Sequence, residues 1–175
     1  MSLYAAAVPQ FRKMLVNLAS WLREAGEYAT AKGFDADTLV TDRLAPDQFN
    51  LGRQVQCACD TAKFMASRLT GQDAPSHPDT ETTLAELITR VETVVAYLDA
   101  VGPEQFQGAA SRPIHLPFLP DGVWVKGTHY FNEFANPNFY FHITTAYAIL
   151  RHRGVPLGKR GYIGAMTLQK GPAGA

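Results

Sequence analysis

Two polar side chains in the last third of the chain have types and a spacing that could do chemistry. Asn138 and His142 are four positions apart, so on a helix they lie on the same face. Phe139 and Ile143 belong to an apolar stripe that runs beside them at about 100° per residue, which predicts that the imidazole points inward and faces the Asn138 amide. An inward titratable ring is a hydrogen-bonded structural residue, part of a ligand pocket or a metal ligand. The residue pattern leaves these three interpretations open.

A third polar side chain, Gln54, lies in an earlier helical segment. It stands at the edge of that segment's apolar seam, beside Val55 and Ala58. Helical bundles build their sites between facing helices, so the Gln54 amide can approach the same cavity as Asn138 and His142. We therefore expect these three side chains to line one ligand pocket, and no catalytic residue is identified.

Other common chemistries lack their sequence patterns. The chain has no H-E-x-x-H, no Glu-x-x-His pair and no Cys/His zinc spacing. Cys57 and Cys59 would be about 200° apart on a helix, so they can neither bridge each other nor hold one metal ion. The glycines in 158–164 do not follow the P-loop order and favour a tail that packs along the bundle. A linker histidine such as His129 could still join His142 around a metal ion.

Composition narrows the class of protein. The 175 residues are enough for one domain, which we place at 1–170, with 171–175 as a frayed tail. Lys and Arg total 16, as do Asp and Glu, so the zero net charge favours neither nucleic acid nor an anionic membrane. No apolar run reaches the roughly 20 residues of a membrane helix, and no secretory signal is visible. We expect a cytoplasmic protein whose two cysteines are reduced, small and buried or half-buried.

Four amphipathic segments predict an all-α fold, a four-helix bundle. The first covers 11–28 and ends at Gly33, and we expect Pro9 to bend or delay its first turn. The second covers about 46–69, and the third runs from about 79 to 101. The fourth is predicted over 136–153. There Asn136 is the expected N-cap, and Gly154 is the expected stop.

The long connection before the fourth helix predicts a β-hairpin. Two apolar runs, 112–119 and 123–131, flank the turn sequence Pro-Asp-Gly at 120–122. A two-stranded ribbon is marginal on its own, so we expect Phe118, Trp124 and Phe131 to pack it across the bundle.

This arrangement resembles the DinB/YfiT-like superfamily. The similarity lies in three amphipathic helices, a long linker and a last helix whose inward histidine precedes Gly154-Val155-Pro156. The runs 53–56, 138–147 and 157–160 are most similar to a bacterial family of unknown function within that superfamily. The 138–147 run, Asn-Phe-Tyr-Phe-His-Ile-Thr-Thr-Ala-Tyr, is the most specific part.

The resemblance implies a bundle that commonly forms a homodimer. Many superfamily members hold a divalent metal with one histidine on the second helix and a His-x-x-x-His pair on the fourth, and some are thiol-cofactor-dependent transferases or isomerases. Here only His142 matches a ligand position. Asn138 stands where the first histidine of the pair belongs, and Gln54 is our choice for the second-helix position, with the outward-facing Gln56 as the alternative.

Three functions follow as hypotheses. The first is a small-ligand-binding bundle without metal or other cofactor, whose DinB-like metal site has decayed and whose remaining cavity is lined by Gln54, Asn138 and His142. The second is a metal- and thiol-cofactor-dependent transferase or isomerase that uses His142. The third is a structural module whose helices only dimerise.

Overall fold

The computed structural model describes residues 2–169 and has the all-α architecture predicted from the sequence. Its long helices are α1 (Leu3–Lys32), α2 (Leu51–Thr70), α3 (Leu84–Asp99) and α5 (Asn136–His152), and short helices α4 (Gly127–His129) and α6 (Lys159–Ile163) flank α5. Short 3-10 helices occupy Ala36–Thr41 and Pro103–Phe106. The frayed tail expected at 171–175 lies outside the described residues.

Side-chain caps set where the first three helices begin. Asn50 accepts a hydrogen bond from the Arg53 amide at 2.9 Å, so α2 starts five residues after the predicted Pro46. Thr83 and Glu86 form a reciprocal capping box, which delays α3 to Leu84. Ser2 caps α1 ahead of Pro9, so the expected delay at Pro9 does not occur.

The predicted N-cap at Asn136 is wrong. Asn136 has helical dihedral angles (φ −67°, ψ −52°), because the helical path already starts at Gly127 and passes through a π-helical turn, Tyr130–Ala135. The wider turn accommodates Pro137, which has no amide hydrogen for the regular helical ladder. The predicted stop is confirmed, since Gly154 adopts a left-handed φ of 88° just after α5.

The predicted hairpin exists in a much shorter form. Strands β1 (Pro113–Ile114) and β2 (Val125–Lys126) pair antiparallel over two residues each, and the turn at Pro120 is closed by the Val123 amide at 3.1 Å. The prolines of the first run cannot donate to a ladder, which limits the pairing. Of the three aromatic anchors, only Phe131 is buried; Phe118 and Trp124 are 64% and 47% exposed, so that part of the prediction is wrong.

The bundle core forms between two helix pairs, α1 with α3 and α2 with α5. Its centre is a stacked pair of rings, Phe11 and Phe139, whose centroids are 3.9 Å apart. The segment after α5 returns along the bundle, where Tyr162 stacks on the buried Trp21 at 5.4 Å. Within residues 2–169, no helix is both long enough and apolar enough to cross a bilayer.

The start of the final helical path depends on a close backbone approach at Gly127. A Cβ added there would collide with the carbonyl oxygen of Ala109, whereas a Cβ at Gly26 would meet nothing within 4 Å. We expect Gly127→Ala to lower the free energy of unfolding by about 1–3 kcal/mol through overpacking. Gly26→Ala, the matched control inside α1, should raise it by about 0.5–1 kcal/mol because glycine disfavours a helix interior. Urea unfolding of both variants tests the pair, and equal stabilities would contradict the packing described for Gly127.

Candidate functional site

The inward histidine of α5 pairs with the glutamine of α2. His142 is 8% exposed, and its Nδ1 lies 2.7 Å from Oε1 of Gln54, which is fully buried. Gln54 in turn donates from Nε2 to the carbonyl oxygen of Phe49 at 3.2 Å. The glutamine side chain is thus held at both ends, and it joins the start of α2 to the middle of α5.

This pairing determines the tautomer of the imidazole. The Gln54 amide group that faces Phe49 must be the NH₂, since a carbonyl oxygen can only accept. Its Oε1 then faces His142 and requires a proton on Nδ1. A neutral ring with a proton on Nδ1 has its lone pair on Nε2, so the free ring nitrogen is a hydrogen-bond acceptor.

The imidazole is held neutral over the physiological pH range. Burial lowers the pKa of His142 from 6.5 to about 4, and the positive charge of Arg53 acts in the same direction. Both causes penalise the imidazolium form, whereas the Gln54 amide adds no charge that would favour it.

Asn138 pairs across the same helix interface, one turn from His142. Its Nδ2 donates to Oγ1 of Thr61 at 2.7 Å, and Thr61 donates onward to the carbonyl oxygen of Cys57 at 2.7 Å. The imidazole and the Asn138 amide do not hydrogen-bond to each other, because each α5 side chain is bound by a different α2 partner. Asn138 keeps Oδ1 as a second acceptor.

A cleft of about 250 Å³ lies between α2 and α5, and we call it the α2–α5 cleft. Asn138 and His142 line one end of it, while Gln54 lies behind the imidazole instead of on the cleft surface. Four aromatic rings form part of the remaining wall, from α2, from the β1–β2 loop and from the π-helical turn: Phe64, Phe118, Tyr130 and Phe134. Phe118, which is too exposed to anchor the hairpin, packs against Phe134 here with a centroid distance of 5.3 Å.

A cation occupies the other end of the cleft. The Arg68 guanidinium lies over the rings of Phe64 (5.0 Å) and Tyr130 (5.6 Å) and donates to the Tyr130 hydroxyl at 3.1 Å. Burial raises the pKa of Tyr130, which keeps its hydroxyl protonated. Arg68 was not predicted from the sequence, although the α2 face that carries Gln54 and Thr61 continues to it at helical spacing.

The side chains present do not fit the three-histidine metal site of the wider superfamily. Gln54 Oε1 is occupied by the His142 ring, and the Asn138 nitrogen donates to Thr61, which leaves His142 as the one nitrogen ligand of the three. His129 is exposed and pairs with Glu133 at 2.6 Å. In the part of the chain that the structure describes, no three His, Cys, Asp or Glu side chains are grouped to hold a metal ion.

A buried ionic cluster adjoins the cleft and was also missed from the sequence. Arg90 of α3 is 4% exposed and pairs with Asp60, Asp79 and Glu81 at 2.9–3.2 Å. Its position on the apolar face of α3 was the available signal. Gln56, expected to face outward, is instead buried and donates to Glu81 at 2.9 Å.

The two cysteines are as expected. Cys57 is half-buried on the cleft wall, Cys59 is fully buried, and neither forms a disulfide. Burial raises the pKa of both thiols, so neither is an activated thiolate.

The lowered pKa of His142 makes a prediction about pH. The His142 ring binds a proton near pH 6.5 in the unfolded chain but only near pH 4 in the folded protein. The free energy of unfolding should therefore fall by up to about 3 kcal/mol as the pH falls from 6.5 to 4. An NMR titration of the His142 ring should have its midpoint near pH 4. Gln54→Glu should move that midpoint upward, because a carboxylate stabilises the imidazolium. Gln107→Glu, an exposed change, is the control for the added charge, and a wild-type midpoint near 6.5 would contradict the burial argument.

Comparisons with known proteins place this geometry in a family. The model of a domain of unknown function, DUF1993, matches residues 3–163. A crystal structure of a DinB family member from Shewanella denitrificans is 50% identical, covers 97% of this chain and 96% of that one, and superimposes with a TM-score of 0.92. No curated protein matches the chain. The chain therefore belongs to the DUF1993 family, a family of unknown function with the DinB-like fold.

Proposed function

We propose that the protein binds a small organic molecule in the α2–α5 cleft without a metal ion. The observation that carries this proposal is the His142–Gln54 hydrogen bond, which takes up the Gln54 oxygen and leaves His142 Nε2 as a single nitrogen donor on the cleft. The remaining Nε2 lone pair is a hydrogen-bond acceptor for a ligand. Aromatic walls and a few polar groups are typical of small-molecule pockets.

A metal- and thiol-cofactor-dependent transferase or isomerase is the alternative that the superfamily resemblance raises. It requires at least two more ligands beside His142. Asn138 and Gln54 offer amide groups, which are weaker ligands for transition metals than imidazole. One imidazole and two amides are a weak set of metal ligands, so the metal-free proposal is favoured.

Metal content separates these two functions. Protein dialysed against Zn²⁺ or Ni²⁺ and then desalted should retain no more metal than His142→Ala treated in the same way, as measured by elemental analysis. About one metal ion per chain, lost in His142→Ala with the helical circular dichroism unchanged, would overturn the proposal and favour the enzyme.

Ligand binding itself is tested by the reactivity of Cys57. This thiol lines the cleft, whereas Cys59 is fully buried, so alkylation at Cys57 reports on occupancy of the cleft. We expect members of a diverse fragment set to slow Cys57 alkylation, as followed by mass spectrometry. If no fragment does so, a structural module that only dimerises becomes the better account.

We further propose a homodimer in the bacterial cytoplasm. The support for association is the resemblance to a superfamily that commonly pairs; Phe141, which is 56% exposed on α5, offers one apolar contact for it. The two unpaired thiols suit a reducing compartment. Sedimentation equilibrium at several loading concentrations should give twice the monomer mass, and a monomer throughout would refute the dimer.

A further inference from the structure

The Arg68 end of the α2–α5 cleft carries a charge without a matching anion. Among residues 2–169, no carboxylate pairs with this guanidinium; its neighbours are the two aromatic faces of Phe64 and Tyr130 and the Tyr130 hydroxyl. Arginine stays protonated at every physiological pH and presents a fork of donors that matches a carboxylate. The two rings beneath the guanidinium hold that fork in place.

The opposite end of the cleft presents acceptors. His142 has a lone pair on Nε2, and Asn138 has Oδ1, because the Nδ1 proton and the Nδ2 group are used by Gln54 and Thr61. A ligand must therefore bring a hydrogen-bond donor to this end. Its other end should carry the negative charge.

Helix geometry gives the distance between the two ends. Thr61, which marks the level of Asn138, and Arg68 are seven residues apart on α2, or about 10 Å at 1.5 Å per residue. Aromatic side chains from α2, the β1–β2 loop and the π-helical turn line the space between them: Phe64, Phe118 and Phe134. This middle section favours a flat apolar group.

Asp60 also lines the cleft, but its charge is already compensated. Its Oδ1 lies 2.9 Å from Lys63 Nζ and 2.9 Å from Arg90 Nη2, and both of those cations are buried. A buried charge paired in this way repels an incoming anion much less than a free carboxylate does. Arg68 therefore dominates the electrostatics at its end.

We propose that the ligand is an aryl-substituted carboxylate with a hydroxyl or amine donor on the ring. The carboxylate binds Arg68 and the Tyr130 hydroxyl, the ring lies between Phe64 and Phe134, and the donor reaches Asn138 Oδ1 or His142 Nε2. This assignment rests on the proposed function, since it gives the chemical class of the molecule that the same cleft would bind.

Three matched probes test each part of the assignment. 3-(4-Hydroxyphenyl)propionate has both groups, its primary amide lacks the charge, and 3-phenylpropionate lacks the ring donor. Binding is measured by titration calorimetry and by protection of Cys57 from N-ethylmaleimide at pH 8, with Cys57→Ser as the blank. We expect the hydroxylated acid to bind at least tenfold more tightly than its amide and several-fold more tightly than 3-phenylpropionate.

Variants assign these preferences to residues. Arg68→Gln should reduce the affinity for the acid to that for the amide, Arg68→Lys should retain part of the preference, and Asn138→Ala should reduce the advantage of the ring hydroxyl. Arg23→Gln is the matched control, because it removes a surface arginine that pairs with Glu92 on the other side of the bundle. It should leave the affinities for all three probes unchanged. Thermal unfolding of each variant identifies any loss of fold.

The outcomes separate this inference from the proposed function. Equal affinities for the acid and the amide, or an acid preference that survives Arg68→Gln, would overturn the carboxylate assignment while leaving a ligand-binding cleft. Protection of Cys57 by neutral fragments but by none of the acids would do the same. If no compound protects Cys57, the proposed function fails together with the assignment.

Discussion

One buried hydrogen bond, between His142 Nδ1 and Gln54 Oε1, organises the candidate site. It spans the interface of α2 and α5 at 2.7 Å, and Gln54 is held in turn by the Phe49 carbonyl. An unpaired buried amide or imidazole would cost about 1–3 kcal/mol, so each group depends on the other. Burial keeps the ring neutral. Because Gln54 can only accept at Oε1, the single ring proton is on Nδ1, and Nε2 is left to the cleft. The acceptor that His142 presents to the cleft follows from that orientation.

The residues at the α2–α5 interface of this chain differ from the three-histidine pattern of the wider superfamily. In the superfamily pattern, histidines of the second and fourth helices converge on a metal ion. Here the pairs His142–Gln54 and Asn138–Thr61 tie α2 to α5 directly. These two hydrogen bonds are polar links between the helices, and the aromatic cleft beyond them has a cationic end at Arg68. This arrangement suits recognition of an organic molecule.

The sequence predicted the bundle, the inward histidine and its nearness to Gln54, because apolar periodicity determines which face of each helix is buried. It could not predict that His142 binds Gln54 and Asn138 binds Thr61, since periodicity does not set the register between two helices. The error at Asn136 has a similar origin: a strong local capping pattern is overridden by a helical path that begins at Gly127. Arg68 could have been predicted as a site residue, because it continues the α2 face of Gln54 at steps of three and four. Its role became visible only when Tyr130 was placed beside it.

The most direct test of this account is the tautomer of His142, read from the ¹⁵N resonances of its ring in a two-dimensional correlation spectrum at pH 6–7. The account predicts a neutral imidazole with a protonated Nδ1 and an unprotonated Nε2, and Gln54→Leu should abolish that preference. A proton on Nε2, or a charged ring at this pH, would contradict the account, because the lone pair would then not face the cleft.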